Sequence, residues 1–391
     1  MRIVVAPDKF KGSLEASGVA EALAAGITAV DPAAEVLTLP VADGGEGTLE
    51  AALGAGFFPW PLTVTGPTGE PAPAEFAVRG PTAVVEMALA SGLAALPVDT
   101  DGDPVLDAAG ATSLGTGEMI RAALDASATR VVLGVGGSAC TDGGAGLLVG
   151  LGARLLDDQG EELPRGGAAL ARLDRVDLSG LDPRACSAEF VLAADVDNPL
   201  IGPRGAAAVF GPQKGASSEL VAELDAALEV FRDRLAETLG PVVLEAAQAP
   251  GAGAAGGVGF AALAVLGATR RPGIEVVLEF VGLADRVVGA DLVVTGEGSF
   301  DEQSLGGKTP MGVAAVARAA GVPVVAVCGR TTLGEQVRQD AGFVRTYALA
   351  DLELDPQVSM REAERLLEQV GAQLARDLPD LLDPLHKAQI N

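Results

Sequence analysis

The side chains best suited to chemistry in this 391-residue sequence stand in short loops dense in glycine. The longest is Val131–Gly146, VVLGVGGSACTDGGAG, where an apolar run meets Gly136, Gly137, Gly143 and Gly144, with Ser138, Cys140, Thr141 and Asp142 between them. Glycine lets a ligand come close to the main chain, and a strand running through such a loop into a helix offers free N–H groups to an anion, most often a phosphate. A tight turn with no ligand explains a single loop of this kind equally well. It is the recurrence that carries weight. Asp8, Lys9, Lys11 and Ser13 follow the apolar run Arg2–Ala6, and Asp43 and Glu46 stand among Gly44, Gly45 and Gly47 after Glu35–Leu39. Asp195, Asp197 and Asn198 follow Glu189–Ala194, and Lys214 sits in GPQKG, Gly211–Gly215. Gly256 and Gly257 belong to PGAGAAGGVG, and Glu297, Asp301, Gln303 and Lys308 to GEGSFDEQSLGGK, Gly296–Lys308.

Paired carboxylates with an amide at 195–198 suit a base that takes a hydroxyl proton or a ligand of Mg²⁺, with an Asx turn before Pro199 as the plain alternative. Asp43 and Glu46 suit Mg²⁺ or a substrate hydroxyl. Lys308 stands at a helix entrance, yet its loop is not a P-loop, because Glu302 occupies the place where GxxxxGK[ST] requires glycine. The sequence has one histidine, His386. Histidine-dependent triads and His-rich metal sites are thereby all but excluded, which leaves carboxylates, lysine, hydroxyls, backbone N–H groups and a hard metal held by oxygen. Phosphoryl transfer needs that set, since it rests on positioning, Mg²⁺ and charge neutralisation.

The elements that must hold these loops are strands and helices in alternation. The runs at Arg2–Ala6, Glu35–Leu39, Ala83–Met87, Val131–Val135, Glu189–Ala194, Asp291–Thr295 and Pro323–Cys328 read as strands, several of them buried on both faces as in a parallel sheet. Leu62–Thr65 and Glu75–Val78, among prolines, suit short antiparallel strands at a domain crossing. Helical spacing marks Thr112–Ser127, Glu219–Leu239 and Phe260–Leu266. Ser13 is expected to cap a first helix, Thr309 a helix that ends at Gly321, and Ser359 with Glu362 a final one. The tail, Pro384–Asn391, reads as frayed. Acids, lysines and bare N–H groups thus fall at the carboxyl ends of parallel strands, where open α/β sheets bind ligands. Residues alone point to a nucleotide-using transferase on a two-domain α/β frame.

Composition narrows the partners. There are 27 basic and 53 acidic residues, a net charge of −26 and 3% aromatic residues, which disfavours nucleic acid and anionic membrane. Mean hydropathy is +0.35, but no apolar run reaches the ~20 residues of a membrane span, and the first run meets Asp8 and Lys9 too soon for a signal peptide. A cytoplasmic location is expected. Cys140, Cys186 and Cys328 lie far apart, with no disulfide framework or zinc pattern.

APDKFKGS (6–13), ADGGEGT (42–48), GGSACTDGGAG (136–146), DVDNPLIGPRGA (195–206), FGPQKGA (210–216), PGAGAAGG (250–257), RPGIE (271–275) and TGEGSFDEQSLGGKTP (295–310) together resemble the type I glycerate kinases, in order and across nearly the whole chain. The resemblance implies two unlike α/β domains with mainly parallel sheets, one inserted into the other, with the active site in the cleft. Residues 1–60 plus 285–391 would form a Rossmann-like α/β domain and 61–284 the inserted one. It implies ATP-dependent phosphorylation of D-glycerate with Mg²⁺, usually at the 2-hydroxyl, by a monomer or homodimer. In that frame Asp195 takes the hydroxyl proton, and Lys11 and Lys308 neutralise the glycerate carboxylate and the transferring phosphoryl group. Asp197, Asp43 or Glu297 hold Mg²⁺. Asp8, Ser13, Asp43, Ser138, Asp197, Asn198 and Arg271 are the expected substrate contacts. Gly136, Gly137, Asp142, Gly143, Gly144, Lys214, Gly256, Gly257, Glu297 and Asp301 are the expected nucleotide contacts. The family often has threonine where Cys140 stands and commonly arginine where Ser299 stands. If that arginine holds phosphate, its task falls here to Arg271, Lys308 or another cation.

The alternatives are a kinase that forms 3-phosphoglycerate, and an NAD(P)-dependent dehydrogenase of a small hydroxy acid. GVGGSA departs from the GxGxxG fingerprint, which weakens the dehydrogenase. A binding protein of the periplasmic type would require the signal peptide that the N-terminus lacks.

Overall fold

The structure, a computed structural model, describes residues 1–389, with side chains to 382. Of the end expected to fray, Pro384–Asn391, the side chains and the last two residues lie outside the described residues. In chain order the strands are β1 (Arg2–Pro7), β2 (Glu35–Thr38), β3 (Phe58–Thr65), β4 (Pro71–Arg79), β5 (Thr82–Glu86), β6 (Arg130–Gly134) and β7 (Arg154–Leu156). They continue with β8 (Arg175–Asp177), β9 (Glu189–Ala193), β10 (Thr269–Arg271), β11 (Leu292–Phe300), β12 (Val324–Thr331) and β13 (Arg345–Ala348). The helices used below are α1 (Ala16–Val30), α2 (Leu114–Asp125), α3 (Ala145–Gly150), α4 (Ser218–Leu239), α5 (Ala254–Ala264), α6 (Thr309–Ala319) and α7 (Ala363–Gln389).

The chain packs as two compact units. The first comprises Met1–Asp43, Glu50–Ala55 and Ile274–Asn391, and the second Gly44–Leu49 and Gly56–Gly273. In the first, five strands lie in the order β13-β12-β11-β1-β2, every neighbouring pair parallel. Ile3–Ala6, Leu292–Val294 and Val324–Cys328 are fully or almost fully buried, as continuous apolar runs in a covered parallel sheet must be. Val19, Leu23 and Ile27 of α1 and Leu367, Val370 and Leu374 of α7 close one core with Ile3, Val5 and Val294.

The second unit has six strands in the order β10-β9-β6-β5-β4-β3, together with a separate β7-β8 pair. From β10 to β5 the neighbours are parallel, whereas β5-β4-β3 is antiparallel. The short antiparallel strands expected near the prolines are therefore present, and longer. Met119 and Ile120 of α2, Leu147 of α3, Phe231 of α4 and Phe260 of α5 fill its core, with the last two rings edge to face at 5.9 Å.

Three expected caps differ. Ser13 lies before Glu15, the residue that precedes α1, and its hydroxyl donates to the Met360 carbonyl. Thr309 is the first residue inside α6, and its hydroxyl donates to Asp8 instead. The final helix is broken at Glu362: Asp355 caps a short helix, Pro356–Arg361, in which Ser359 is interior. Aspartate before a proline is the stronger start, because the proline needs no N–H partner and has its φ preset. No helix of the described residues is long and apolar enough to cross a membrane.

Candidate active site

In the first unit β11, β1 and β2 are adjacent and parallel, so their carboxyl ends share one edge. β1 delivers Asp8, the chain after β2 delivers Asp43, and β11 carries Glu297 near its end. The register sets this directly: Pro7 stands opposite Gly296, and the Asp8 N–H donates to the Gly296 carbonyl at 2.8 Å. Asp8 accepts from Thr309 Oγ1 at 2.6 Å and from the Lys9 N–H at 2.7 Å. Burial first, then the charges of Asp43 and Glu297, push its carboxyl up to about 7. The Glu297 carboxyl is raised as well, by burial above all and by Asp301 and Asp43, against the pull of Ser304 and Lys308. Its Oε1 is buried with no hydrogen-bond partner. This edge gathers more negative charge than its surroundings neutralise, which is what a bound cation corrects. Among the described residues no group of three His, Cys, Asp or Glu side chains stands ready for a metal. A Mg²⁺ carried on phosphates asks for only one or two carboxylates.

Lys308 immediately precedes α6 and acts on Glu297, and the Lys11 side chain is exposed. Asp301 closes its own turn, accepting from the Gln303 N–H at 2.9 Å. Ser299 Oγ accepts from Arg330 Nε at 3.1 Å, because the β11-β12 register sets the two residues side by side. Arg330 is a cation at this edge that the sequence reading missed. Its signal was weak, since the expected strand stopped at Cys328 while β12 runs on to Thr331.

In the second unit β5, β6, β9 and β10 are parallel, and Glu86, Gly134, Ala193 and Arg271 stand in near register at their carboxyl ends. The glycine loop follows β6. Asp142 is 1% exposed, and its carboxylate accepts from the N–H groups of Ser113, Gly144 and Gly146 and from Ser113 Oγ, at 2.8 to 3.2 Å. It holds the loop to the start of α2. Lys214 is 1% exposed and donates to Ser138 Oγ and the Cys140 carbonyl. Gly136 lies against the Gly45 main chain, and the Gly137 carbonyl accepts from the Leu93 N–H. Gly256 and Gly257 are buried in the left-handed turn Ala255–Gly257, with φ from 54° to 95°, and the Gly143 N–H donates to the Gly256 carbonyl at 2.9 Å. The second glycine run is packed on the first. Cys140 is buried, which pushes its thiol far above the usual range and makes it unreactive.

Beyond β9 the paired acids are engaged locally. Asp195 Oδ1 accepts from the Gly273 N–H at 2.8 Å, and Asp197 pairs with Arg270 at 2.8 Å. Asn198 donates to the Arg204 carbonyl. Arg271 ends β10, one residue beyond Arg270, whose Nε donates to the Ala194 carbonyl. Asp8, Asp43, Glu297, Asp301 and Lys308 are thus brought together in one unit. Ser138, Cys140, Asp142, Lys214 and the glycines are brought together in the other, which also holds Asp195, Asp197, Asn198 and Arg271.

The comparisons with known proteins agree with this chemistry. Residues 3–379 match the glycerate kinase family. A Bacillus subtilis (strain 168) protein named glycerate kinase is 43% identical over 97% of this chain and 98% of its own. An Escherichia coli (strain K12) protein named glycerate 2-kinase is 44% identical over 89% of each chain. A crystal structure from Salmonella typhimurium LT2, provisionally named glycerate kinase 2, superposes with a TM-score of 0.83 at 40% identity, covering 97% of this chain and 98% of the other. With a match that runs through almost every element described above, the chain belongs to the glycerate kinase family.

Proposed function

We propose that this protein transfers the terminal phosphoryl group of ATP to the 2-hydroxyl of D-glycerate with Mg²⁺, giving 2-phosphoglycerate and ADP. The observation that carries the reading is the 44% identity, over 89% of both chains, to the Escherichia coli glycerate 2-kinase. The gathered side chains are of the matching kind. They are acids, lysines, hydroxyls and backbone donors, and the reaction asks for positioning and charge neutralisation before proton chemistry.

The raised carboxyls of Asp8 and Glu297 and the orphaned Glu297 oxygen fit a cation, so Glu297, with Asp43 whose charge acts on both, would hold Mg²⁺. The ion held there would supply positive charge against the negative charge of the phosphates. Asp197 is left out of that set, because Arg270 already neutralises it. Lys308 and Lys11 balance the glycerate carboxylate and the transferring group, and Asp195 takes the proton of the attacking hydroxyl. The loop Gly136–Gly144 receives an anion on N–H groups other than those of Ala139, Gly143 and Gly144, which donate within the unit.

A coupled assay of ADP release with ATP, Mg²⁺ and D-glycerate, followed by phosphorus NMR of the product, tests the activity. Glycerate-dependent turnover and a secondary phosphate ester are expected. A primary ester would move the reaction to the 3-hydroxyl, and turnover of a nicotinamide cofactor without ADP release would replace the kinase by a dehydrogenase. Asp195→Asn should lose roughly 100-fold in turnover with ATP affinity kept. Asparagine retains an oxygen for the Gly273 N–H, so near-normal turnover would take the proton-accepting role from Asp195.

A further inference from the structure

Lys214 is a lysine that solvent hardly reaches: it is 1% exposed, in the second unit, under the glycine loop. Its ammonium donates to Ser138 Oγ at 2.9 Å and to the Cys140 carbonyl at 2.5 Å. Taking an ammonium out of water is unfavourable unless its partners are well placed. Burial accordingly pulls its pKa below the usual lysine range, opposed by Cys140 and Asp142. A plain turn requires no such group.

The consequence falls on Ser138. A hydroxyl whose oxygen accepts from an ammonium keeps its own hydrogen for donation, because it is both donor and acceptor. Among the described residues none takes that hydrogen. The hydroxyl is also fixed in place. The N–H of the next residue, Ala139, donates to the Ser91 carbonyl at 2.8 Å, Gly137 on the other side receives Leu93, and Ser138 is 7% exposed. A donor polarised by a buried cation, in a loop rich in main-chain N–H groups, suits an anionic oxygen.

We propose that Lys214 is a positioning residue that acts through Ser138: it orients the Ser138 hydroxyl as the donor that binds an anionic oxygen of substrate, the carboxylate of glycerate or a phosphate of ATP. The choice between these two anions rests on the kinase reading above. Lys214 itself touches neither.

Titration calorimetry with D-glycerate and, separately, with ATP on the full-length protein tests this. The proteins are the wild type, Ser138→Ala, Ser138→Thr, Lys214→Met and the Ser138→Ala/Lys214→Met double variant. Ser138→Ala should weaken one of the two ligands about 10-fold or more, the scale of one hydrogen bond to a charged group, and leave the other within about twofold. The ligand that weakens identifies the anion. Ser138→Thr should restore most of the affinity. Lys214→Met should weaken the same ligand, and the double variant should bind about as the weaker single one does, because both changes remove one interaction. Wild-type binding of both ligands by Ser138→Ala overturns the proposal even if Lys214→Met fails to fold. So do losses that multiply in the double variant, and a wild type that binds neither ligand. ADP release by the wild type, measured alongside, reports on the kinase reading separately.

Discussion

Asp8 lies where β1 ends, and burial together with Asp43 and Glu297 lifts its carboxyl to about 7 from 3.8. Unfolding returns it to the ordinary value. A carboxyl raised by the fold imposes no electrostatic cost below its unfolded pKa, an increasing one as pH climbs between the two values, and the full one above the folded value. Replacing Asp8 with asparagine, which cannot ionise, should therefore stabilise the protein more at pH 8 than at pH 5, by roughly 2 kcal/mol. Urea melts in chelator at the two pH values measure this, and an equal effect at both would remove the charge repulsion from the account. At this scale the sequence was informative about residue type and weak about role. Asp8, Asp43 and Glu297 stood out as acids in loops, yet their mutual repulsion depends on β1 pairing with both β2 and the far distant β11. Asp142 and Lys214 are charged residues among glycines, expected through the family resemblance to meet the nucleotide. Only packing shows that their charges are turned inward, onto Ser113, Gly144 and Gly146 in one case and onto Ser138 and Cys140 in the other.

The elements were the most legible level, for a physical reason. A strand buried on both faces must be apolar throughout, so β1, β6, β9 and the first parts of β11 and β12 announce themselves. Helix starts are decided by hydrogen bonds that compete locally and at long range, which is why Ser13 and Thr309 turn to Met360 and Asp8 and leave the helix N–H groups. The PGAGAAGG run shows the same limit. It is compatible with an anion-binding helix entrance, but its turn is a packing device: a Cβ at Gly256 would stand 2.1 Å from the Cys140 carbonyl oxygen, at a φ of +66°. Gly256→Ala should cost about 2 to 4 kcal/mol, the sum of left-handed strain and a backbone that must move. A urea melt that shifts by less than about 0.5 kcal/mol would show that the loop yields without resistance.

For the whole molecule the dominant quantity is charge. A net −26 on 391 residues repels itself, and the repulsion between exposed groups is screened by salt. The melting temperature should rise by several degrees between about 10 and 300 mM NaCl at pH 8, and a flat or falling dependence would mean that attractive ion pairs such as Arg184 with Asp125 and Asp182 outweigh the repulsion. By itself the sequence determined the chemical vocabulary, with a single histidine and carboxylates, lysines and glycine loops after apolar strands. It also determined the α/β class and, through motifs in their order, the family. Those properties are local or compositional, so they survive in one dimension. Which charges meet was decided by the tertiary structure alone. The order β13-β12-β11-β1-β2 joins strands at opposite ends of the chain and so brings Asp8 beside Glu297, while the β11-β12 register sets Ser299 beside Arg330. Strand order follows from how whole elements bury their faces against one another, and no short stretch of sequence encodes it.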